Sequence, residues 1–292
     1  MHFQLTEDQR ALRTGLREVL TRREPGWAEL AEVGLFTLRV PEARDGLGLG
    51  LPEAALAFEE AGRALVGGPL VGTELAATFG RGTAEFVSVP ARGPVLVPYL
   101  PELSCVLLRH RDGSVGIVPA EALDARPARA VDPHRPLWEL TGPLPEGDRC
   151  GDAEAARLTA EATLLTAALQ CGLAARALAD AVRHAGRREQ FGQPIGAFQA
   201  VQHLCADMLA RAELARVAVY AAAVSADAEE IAGAKLLADE AAVHNARDCL
   251  QVHGGMGFTW EAPVHRLLKR AWAWEQAVAD RDSCLDALAG HL

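Results

Sequence analysis

A pair of arginines followed by a turn containing glycine and proline is the first feature of this sequence that could carry chemistry. Arg187 and Arg188 precede the turn at 191–194, and apolar residues at helical spacing resume at Phe198. This spacing predicts that one helix ends near Gly186 and that another begins after the turn. A guanidinium beside a helix start can bind a phosphate group. The alternative is a solvated pair of arginines at a helix C-terminus, where the helix dipole favours positive charge.

A glycine-rich segment at 251–257 is the second such feature. Gly254, Gly255 and Gly257 carry no side chain, so a ligand could approach their backbone amides closely. The same glycines would serve equally well as the end of the preceding helix and the loop after it. The residues of this segment alone leave both interpretations open.

Other catalytic and metal-binding motifs are absent from the sequence. The loop with Gly46, Gly48 and Gly50 lacks the GxGxxG spacing of a dinucleotide site and is interpreted as a turn between helices. No histidine follows a glutamate at the spacing of a di-iron site, and no CxxC pair occurs among the six cysteines. We therefore predict no metal site.

The amino-acid composition favours a helical protein and argues against several classes of function. The 292 residues are 50% hydrophobic and only 5% aromatic, and the many alanines and leucines favour helices. The net charge of −10 argues against a general nucleic-acid-binding protein. The N-terminus lacks the continuous apolar core of a signal peptide, and no charge-free apolar run is long enough to span a membrane. We therefore expect a cytoplasmic protein with reduced cysteines.

Three segments of different character must position the two motifs. Residues 1–84 carry leucines at helical spacing, and residues 85–152 contain short apolar runs with a hairpin signal at 110–113. Residues 153–292 contain four long helical runs. We expect a mainly α protein with an N-terminal helical domain, a small β domain and a C-terminal four-helix bundle.

Taken together, the motifs resemble the acyl-CoA dehydrogenase family. The C-terminal resemblance rests on two stretches some 50 residues apart, RREQFGQPIGAFQAVQH from Arg187 and QVHGGMGFTWEAPVHRLLKR from Gln251. Nearer the N-terminus, LTEDQRALR, WAELAEVGLFTLRVPEARDGLGLG and FEEAGRAL also resemble the family. The resemblance is weakest between about 80 and 150. It implies the acyl-CoA dehydrogenase-like fold, with the same three domains in the same order and a reduced middle β domain.

The resemblance also implies FAD as cofactor, an acyl-CoA thioester as substrate and electron-transfer flavoprotein as electron acceptor. In such enzymes a glutamate removes the α-proton of the thioester while the β-hydride passes to the flavin. Arg188 and Gln199 match the family's FAD-contacting arginine and glutamine, and Phe191 matches the aromatic residue beside the cofactor. The family's Gln-x-x-Gly-Gly stretch is matched by Gln251, Val252, His253, Gly254 and Gly255. In the family these groups reach the ADP half of a neighbouring subunit's FAD, so an oligomer is implied.

The middle segment departs from the family pattern. The family holds the flavin ring and pyrophosphate with a Thr-Glu-Pro-x-Gly-Ser loop and a Trp-Ile-Thr/Ser strand. Residues 80–150 contain neither and are fewer than usual. We predict that the chain's own flavin-ring site is incomplete.

The position of the catalytic glutamate also departs from the family pattern. Aligning residues 266–270 with the family's arginine-rich helix places Val278 at that position, and valine cannot accept a proton. Asp280, two residues on, would point to another face of a helix. Glu275, three residues back, would lie on a similar face but nearly a turn away. Some family members carry the base on an earlier helix, near Ala162, where Glu161 lies one residue out of register. The catalytic residue is thus unassigned, with Glu161 as a weak candidate.

One hypothesis accommodates these departures. The chain would be the short subunit of a heteromeric acyl-CoA dehydrogenase, and a homologous partner subunit would supply the flavin-ring loops and the base. α2β2 assemblies are known in the family. Three alternatives stay open: a self-sufficient homodimer with a displaced base, a flavin monooxygenase on this fold, and a non-catalytic scaffold.

Overall fold

Helices make up most of the chain in the computed structural model, which describes residues 5–22 and 27–290. The helices are α1 (Glu7–Arg22), α2 (Trp27–Glu32), α3 (Leu51–Arg63), α4 (Leu70–Ala77), α5 (Asp152–Arg187), α6 (Gln199–Ser225), α7 (Ala228–His253), α8 (His265–Glu275) and α9 (Arg281–Ala289). The strands are β1 (Ala84–Ser88), β2 (Leu96–Pro98), β3 (Cys105–Arg109), β4 (Val115–Pro119), β5 (Ala125–Ala128), β6 (Leu137–Leu140), β7 (Asp148–Arg149), β8 (Glu189–Gln190) and β9 (Gln193–Pro194). The predicted mainly α fold class is confirmed.

The middle strands form two small sheets that share a hydrophobic cluster. One sheet has the order β1-β3-β4-β7, with β1 and β3 parallel, and the other has the order β2-β6-β5. Side chains alternate along β3, as strand geometry requires. Val106 and Leu108 join the cluster between the sheets, whereas Cys105 and Leu107 join the main core against the helices. The expected hairpin turn connects β3 to β4, where the Gly113 amide donates to the His110 carbonyl at 3.0 Å.

Helix α5 forms the centre of the C-terminal bundle and contacts α3, α6 and α7. It is 36 residues long, and alanines and leucines cover most of its surface. One 18-residue stretch is apolar enough to cross a membrane, but 83% of that stretch is buried inside the fold. This burial is typical of the core helix of a globular protein.

Two glycines allow α3 and α5 to pack backbone against backbone. A Cβ atom added at Gly172 of α5 would lie 1.9 Å from the Glu59 carbonyl oxygen of α3. A Cβ atom added at Gly62 of α3 would lie 2.0 Å from the Leu169 carbonyl oxygen of α5. These distances are far inside van der Waals contact, so the crossing requires a residue without a side chain at both positions.

We expect Gly172→Ala to lower the free energy of unfolding by about 2–3 kcal/mol, because the two helices must separate to admit the methyl group. The matched control is Gly186→Ala in the same helix, where the added Cβ meets no atom of the described residues within 4 Å. The control should be neutral or raise the free energy of unfolding by up to about 1 kcal/mol. Urea unfolding measures both variants, and equal losses in the two would contradict the close crossing.

A buried charged group anchors the end of α8 to the bundle. Lys235 of α7 is fully buried and forms an ion pair with Asp239. Its Nζ also lies 3.4 Å from the carbonyl oxygens of Trp274 and Glu275, at the C-terminal end of α8. Gln170 of α5 joins the network by donating to Asp239 at 2.9 Å. Together these bonds position the chain that follows α8.

Candidate cofactor-binding and catalytic sites

The turn after α5 places Arg188 beside the start of α6. The Arg188 amide donates to the His184 carbonyl, and the Ile195 amide donates to the Arg188 carbonyl, each at 2.8 Å. The short hairpin of β8 and β9 lies between these bonds. The side chains of Arg188 and of Gln199, the first residue of α6, are both exposed. The predicted pair is therefore presented to solvent at one turn.

The start of α6 adds favourable electrostatics for an anion. The helix has 27 residues, and its preceding residue, Phe198, supplies no side-chain acceptor for the first amides. The positive end of the helix dipole and unpaired N–H groups therefore face outward. A guanidinium and a helix N-terminus together can hold a phosphate group.

The backbone of Phe191 adopts an unfavourable conformation within the same turn. Its φ is +55°, a left-handed conformation that is uncommon for bulky residues. Its side chain is 92% exposed and touches Phe198 edge-on, with ring centroids 6.0 Å apart. An exposed aromatic ring on a strained backbone indicates a surface built to be covered by another group.

The predicted segment at 251–255 forms the end of α7 and the turn after it. Gly254 has a φ of +61°, and both Gly254 and Gly255 are exposed. An added Cβ at either glycine would meet no described atom within 4 Å, so their backbone is open to a ligand. Gln251 is exposed, whereas the Val252 side chain points into the core and leaves only its backbone available.

A stacked pair of histidines brings the two motifs together. The ring of His253 at the end of α7 lies 4.0 Å from the ring of His184 near the end of α5. His253 Nδ1 is also 2.8 Å from the Cys249 carbonyl oxygen. Burial lowers the pKa of His184, and the neighbouring His253 and Arg188 lower it further. These contacts indicate a structural role for the His253 side chain.

Large apolar side chains that lie close to the two motifs in sequence are exposed. Phe258 and Trp260 follow the glycines, and each is 75% exposed. Phe191 follows Arg188 by three residues, and Met256 follows Gly255 directly; both are exposed as well. Exposed side chains of this kind are typical of a protein interface or a ligand site.

Val278, at the predicted catalytic position, closes a very small cavity. It follows α8, is 8% exposed and has a φ of +66°, a genuine outlier for a β-branched residue. Its carbonyl accepts a hydrogen bond from the Ser88 hydroxyl of β1 at 2.5 Å. The cavity beside it has a volume of about 20 Å3. That volume holds about one water molecule and excludes an acyl chain.

Glu85 is a site residue that the sequence analysis missed. It lies on β1, is 6% exposed and lines the same small cavity as Val278, together with Arg135 and Thr166. Burial raises the pKa of Glu85 to about 7, against the opposing effect of Arg135. The sequence did carry one indication of this residue, because Glu85 is the only charged residue in the strand Ala84–Ser88.

Glu85→Gln is expected to change how stability depends on pH. The raised pKa of Glu85 contributes stability that is fully present below the unfolded pKa of about 4.5 and is lost as pH rises through about 7. Relative to the wild type, the glutamine variant should therefore gain about 2–3 kcal/mol of unfolding free energy between pH 5 and pH 8. Urea unfolding at several pH values tests this, with the exposed Glu102→Gln as control. Parallel pH curves for wild type and Glu85→Gln would contradict it.

The other carboxylates considered as bases have structural partners. Glu161 accepts from Arg157 at 2.8 Å and from Arg39 at 2.9 Å, so both guanidinium groups hold its carboxylate. Asp280 caps α9 by accepting from the Ser283 amide at 2.9 Å. Neither residue, nor Glu275, lines the cavity at Val278. This placement favours a structural role for Glu161 over proton abstraction.

A larger cavity of about 510 Å3 lies between the sheets and α8, and Val278 forms part of its wall. The wall formed by β1 and β2 is largely apolar, with Leu96 and Pro98 on β2. Pro98 has no N–H, and the Ser88 hydroxyl is already donated to Val278. A flavin ring presents carbonyl oxygens and ring nitrogens that need hydrogen-bond partners when buried. The side chains of β1 and β2 therefore offer a flavin ring no free donor, although Arg129, Arg135 and Gln276 also line the cavity. The surface around Arg188 fits a phosphate-bearing ligand.

Trp272 and Trp274 lie on opposite sides of α8. Trp274 is buried, and the Arg270 guanidinium lies 5.2 Å from its ring centroid. Trp272 faces the 510 Å3 cavity instead. The described residues contain no group of three or more histidine, cysteine or carboxylate side chains that could hold a metal ion.

Comparison with known proteins matches both ends of the chain to one family. Residues 6–85 match the family described as "Acyl-CoA dehydrogenase, N-terminal domain". Residues 154–275 match the family described as "Acyl-CoA dehydrogenase, C-terminal domain". The two matches flank the small β segment, where the sequence resemblance was weakest.

Individual relatives differ in length. Acyl-CoA dehydrogenase IpdE2 of Mycobacterium tuberculosis is 34% identical over 264 residues, which cover 84% of this chain and 79% of IpdE2. Acyl-CoA dehydrogenase FadE34 of the same organism is 37% identical over 288 residues. The match covers 85% of this chain but 39% of FadE34, so the chain spans well under half of that relative.

Among solved structures, the ChsE4–ChsE5 complex from Mycobacterium tuberculosis is similar in fold. A chain of that complex superposes with a TM-score of 0.84 at 23% identity, covering all of this chain and 98% of its own length. At this identity the likeness establishes the fold alone. The reduced β segment is thus part of a complete fold of this type.

Proposed function

This chain belongs to the acyl-CoA dehydrogenase family, and we propose that it is the short subunit of a heteromeric FAD-dependent enzyme that desaturates an acyl-CoA thioester. Enzymes of this family are flavoproteins. In the proposal the chain contributes contacts to the ADP side of an FAD bound with a partner subunit. The partner is a homologous acyl-CoA dehydrogenase subunit that carries the catalytic glutamate and the flavin-ring contacts.

The observation that carries this proposal is a contrast between two regions of the same chain. The surface around Arg188, Phe191 and Gly254 is open, cationic and bordered by exposed aromatic residues. Val278 stands at the catalytic position and cannot accept a proton, although cavities of about 20 Å3 and about 510 Å3 both lie beside it. A chain with an open cationic surface and no base at the catalytic position is suited to serve a site completed by another subunit.

The proposed roles follow from the chemistry of each group. The Arg188 guanidinium and the first amides of α6 hold the phosphates, and Gln199 hydrogen-bonds at the same helix start. The backbone of Gln251, Val252, His253, Gly254 and Gly255 lies against the nucleotide, since the two glycines admit close approach. Phe191 covers one side of the bound group. When bound, FAD supplies the hydride acceptor for oxidation of the acyl group.

The substrate and the electron acceptor are also part of the proposal. The acyl-CoA thioester would bind in the partner, because the partner carries the base that must reach the α-carbon. Electron-transfer flavoprotein would accept the electrons. In one similar solved structure ChsE4 and ChsE5 form a complex, which gives a heteromeric arrangement a precedent on this fold.

Flavin content tests the proposal directly. The chain is purified alone and after co-expression with a homologous acyl-CoA dehydrogenase subunit from the same genome, and the visible absorbance of bound flavin is measured. We expect flavin only in the co-purified complex. Stoichiometric flavin on the chain alone would overturn the partner role.

A second candidate function is a self-sufficient homodimeric dehydrogenase with a displaced base. Glu85 favours it, because a carboxyl group with a pKa of about 7 lines the cavity at Val278. This alternative requires the chain alone to bind flavin and to be reduced by acyl-CoA. It also requires Glu85→Gln to abolish that reduction, whereas the partner-subunit proposal requires the reduction to depend on the other chain.

A further inference from the structure

An arginine-lined cavity lies between α1, α3, α5 and the segment that leads into α8. Its volume is about 610 Å3, and it shares no lining residue with the cavities at Val278. Among the described residues, its lining holds five arginines and two carboxylates: Arg17, Arg63, Arg176, Arg183, Arg266, Glu60 and Asp180. This excess of three positive charges occurs in a chain whose net charge is −10.

Both carboxylates in this arginine cavity are already engaged. Glu60 accepts from Arg17 Nε at 2.9 Å and from its Nη2 at 2.5 Å. Asp180 accepts from Arg176 at 2.9 Å and from Arg183 at 2.5 Å. Both carboxylates are therefore already hydrogen-bonded to arginines of this lining.

Arg63 has a hydrogen-bond donor that is not satisfied. Its Nε is buried and has no hydrogen-bond partner in the described part of the chain. The nearest carboxylate oxygen, on Glu60, is 3.9 Å away and is shared with Arg17. Burial lowers the pKa of Arg63, and the charge of Arg17 adds to that effect. A buried N–H without a partner is costly and is rare in folded proteins.

The remaining lining of the cavity is apolar. Leu20, Leu65, Pro263 and Leu267 supply that surface, along with two alanines. A volume of about 610 Å3 is typical of sites that enclose a small organic molecule. Guanidinium groups are well suited to phosphate, because their planar N–H donors match its oxygens.

We propose that the arginine cavity binds a phosphate monoester of a small molecule with an apolar or aromatic body. The phosphate accepts from Arg63 and Arg176, and the body lies on the apolar lining. The site is separate from the surface around Arg188, so it does not depend on the role proposed for that surface.

Calorimetric titration of the full chain with phenyl phosphate tests the proposal, with phenol as the uncharged control. We expect saturable binding of phenyl phosphate that is at least about 10-fold tighter than that of phenol. Arg63→Met should weaken it about 10–100-fold. The Arg63→Met variant should remain folded without ligand, because it removes a guanidinium whose buried Nε has no hydrogen-bond partner in the described part of the chain.

Two further variants locate the binding. Arg126→Gln alters an exposed arginine outside the arginine cavity, and Arg188→Ala alters the other phosphate-facing surface. Both variants should bind phenyl phosphate as the wild type does. No saturable binding, equal affinity for phenol, or unchanged affinity in Arg63→Met would overturn the proposal. Loss of binding in Arg188→Ala would assign the ligand to the other surface and overturn it as well.

Discussion

Replacing Arg188 by alanine is expected to weaken FAD binding to the assembled enzyme about 100-fold. A guanidinium–phosphate contact is charge-assisted, and removing one partner costs about 2–3 kcal/mol. The Arg188 side chain is exposed at the start of α6. Equilibrium dialysis of the complex against FAD measures the change in dissociation constant.

Arg187→Ala is the matched control for Arg188→Ala. Arg187 is the last residue of α5 and is also exposed, so both variants remove the same charge from the same turn. We expect the control to change FAD affinity by less than about 3-fold, in line with a screened surface charge. Arg188→Lys should restore only part of the affinity, because lysine lacks the planar pair of donors. Equal losses in Arg187→Ala and Arg188→Ala would show that only net charge matters.

Asp132→Ala is expected to lower the free energy of unfolding by about 3–5 kcal/mol. Asp132 precedes β6 and forms an ion pair with Arg270 of α8, and both residues are almost fully buried. Arg270 also donates to the Val66 carbonyl at 3.0 Å, so it stays in place when its partner is removed. A buried guanidinium without a counter-charge is strongly unfavourable.

Glu139→Ala provides the comparison for Asp132→Ala. Glu139 pairs with Arg126 across β5 and β6 at 2.9 Å, but the Arg126 side chain is 66% exposed. Its loss should cost less than about 1 kcal/mol. Guanidinium chloride unfolding with both variants gives the two values, and Asp132→Asn supplies a milder change if the alanine variant is unfolded. A loss below 1 kcal/mol in both Asp132 variants would contradict the buried ion pair.

The local structure around Arg188 was largely predictable because each of its parts is local. A helix end, a turn and a helix start are encoded within 186–199, and the glycines at 254 and 255 mark the end of α7. Their proximity was not predictable from residue types alone. It depends on the stacking of His184 on His253, two residues 69 positions apart, and such long-range contacts have no local signal.

The region around Val278 could be predicted only in part from residue patterns. The alignment of the arginine-rich helix indicated Val278, but nothing near it in sequence indicated Glu85, which lies 193 positions earlier. The two meet because Ser88 of β1 donates to the Val278 carbonyl and draws the loop after α8 onto the strand. Glu161 was a candidate because it lies beside the family's alternative base position, one residue out of register. The structure places it among Arg39 and Arg157, whose positions depend on the packing of the N-terminal helices against α5.

The hydrophobic core runs without a break from the first helix to the loop after α8. Leu16, Phe58, Phe86, Leu165 and Val278 all belong to it. The N-terminal helices therefore cannot be shed without exposing the inner face of α5, and the strands cannot be removed without uncovering α4. Catalytic side chains at the edge of such a core can be exchanged with little effect on folding, whereas no segment can be deleted. Side-chain chemistry at the edge of this core is thus separable from the packing that holds the described segments together.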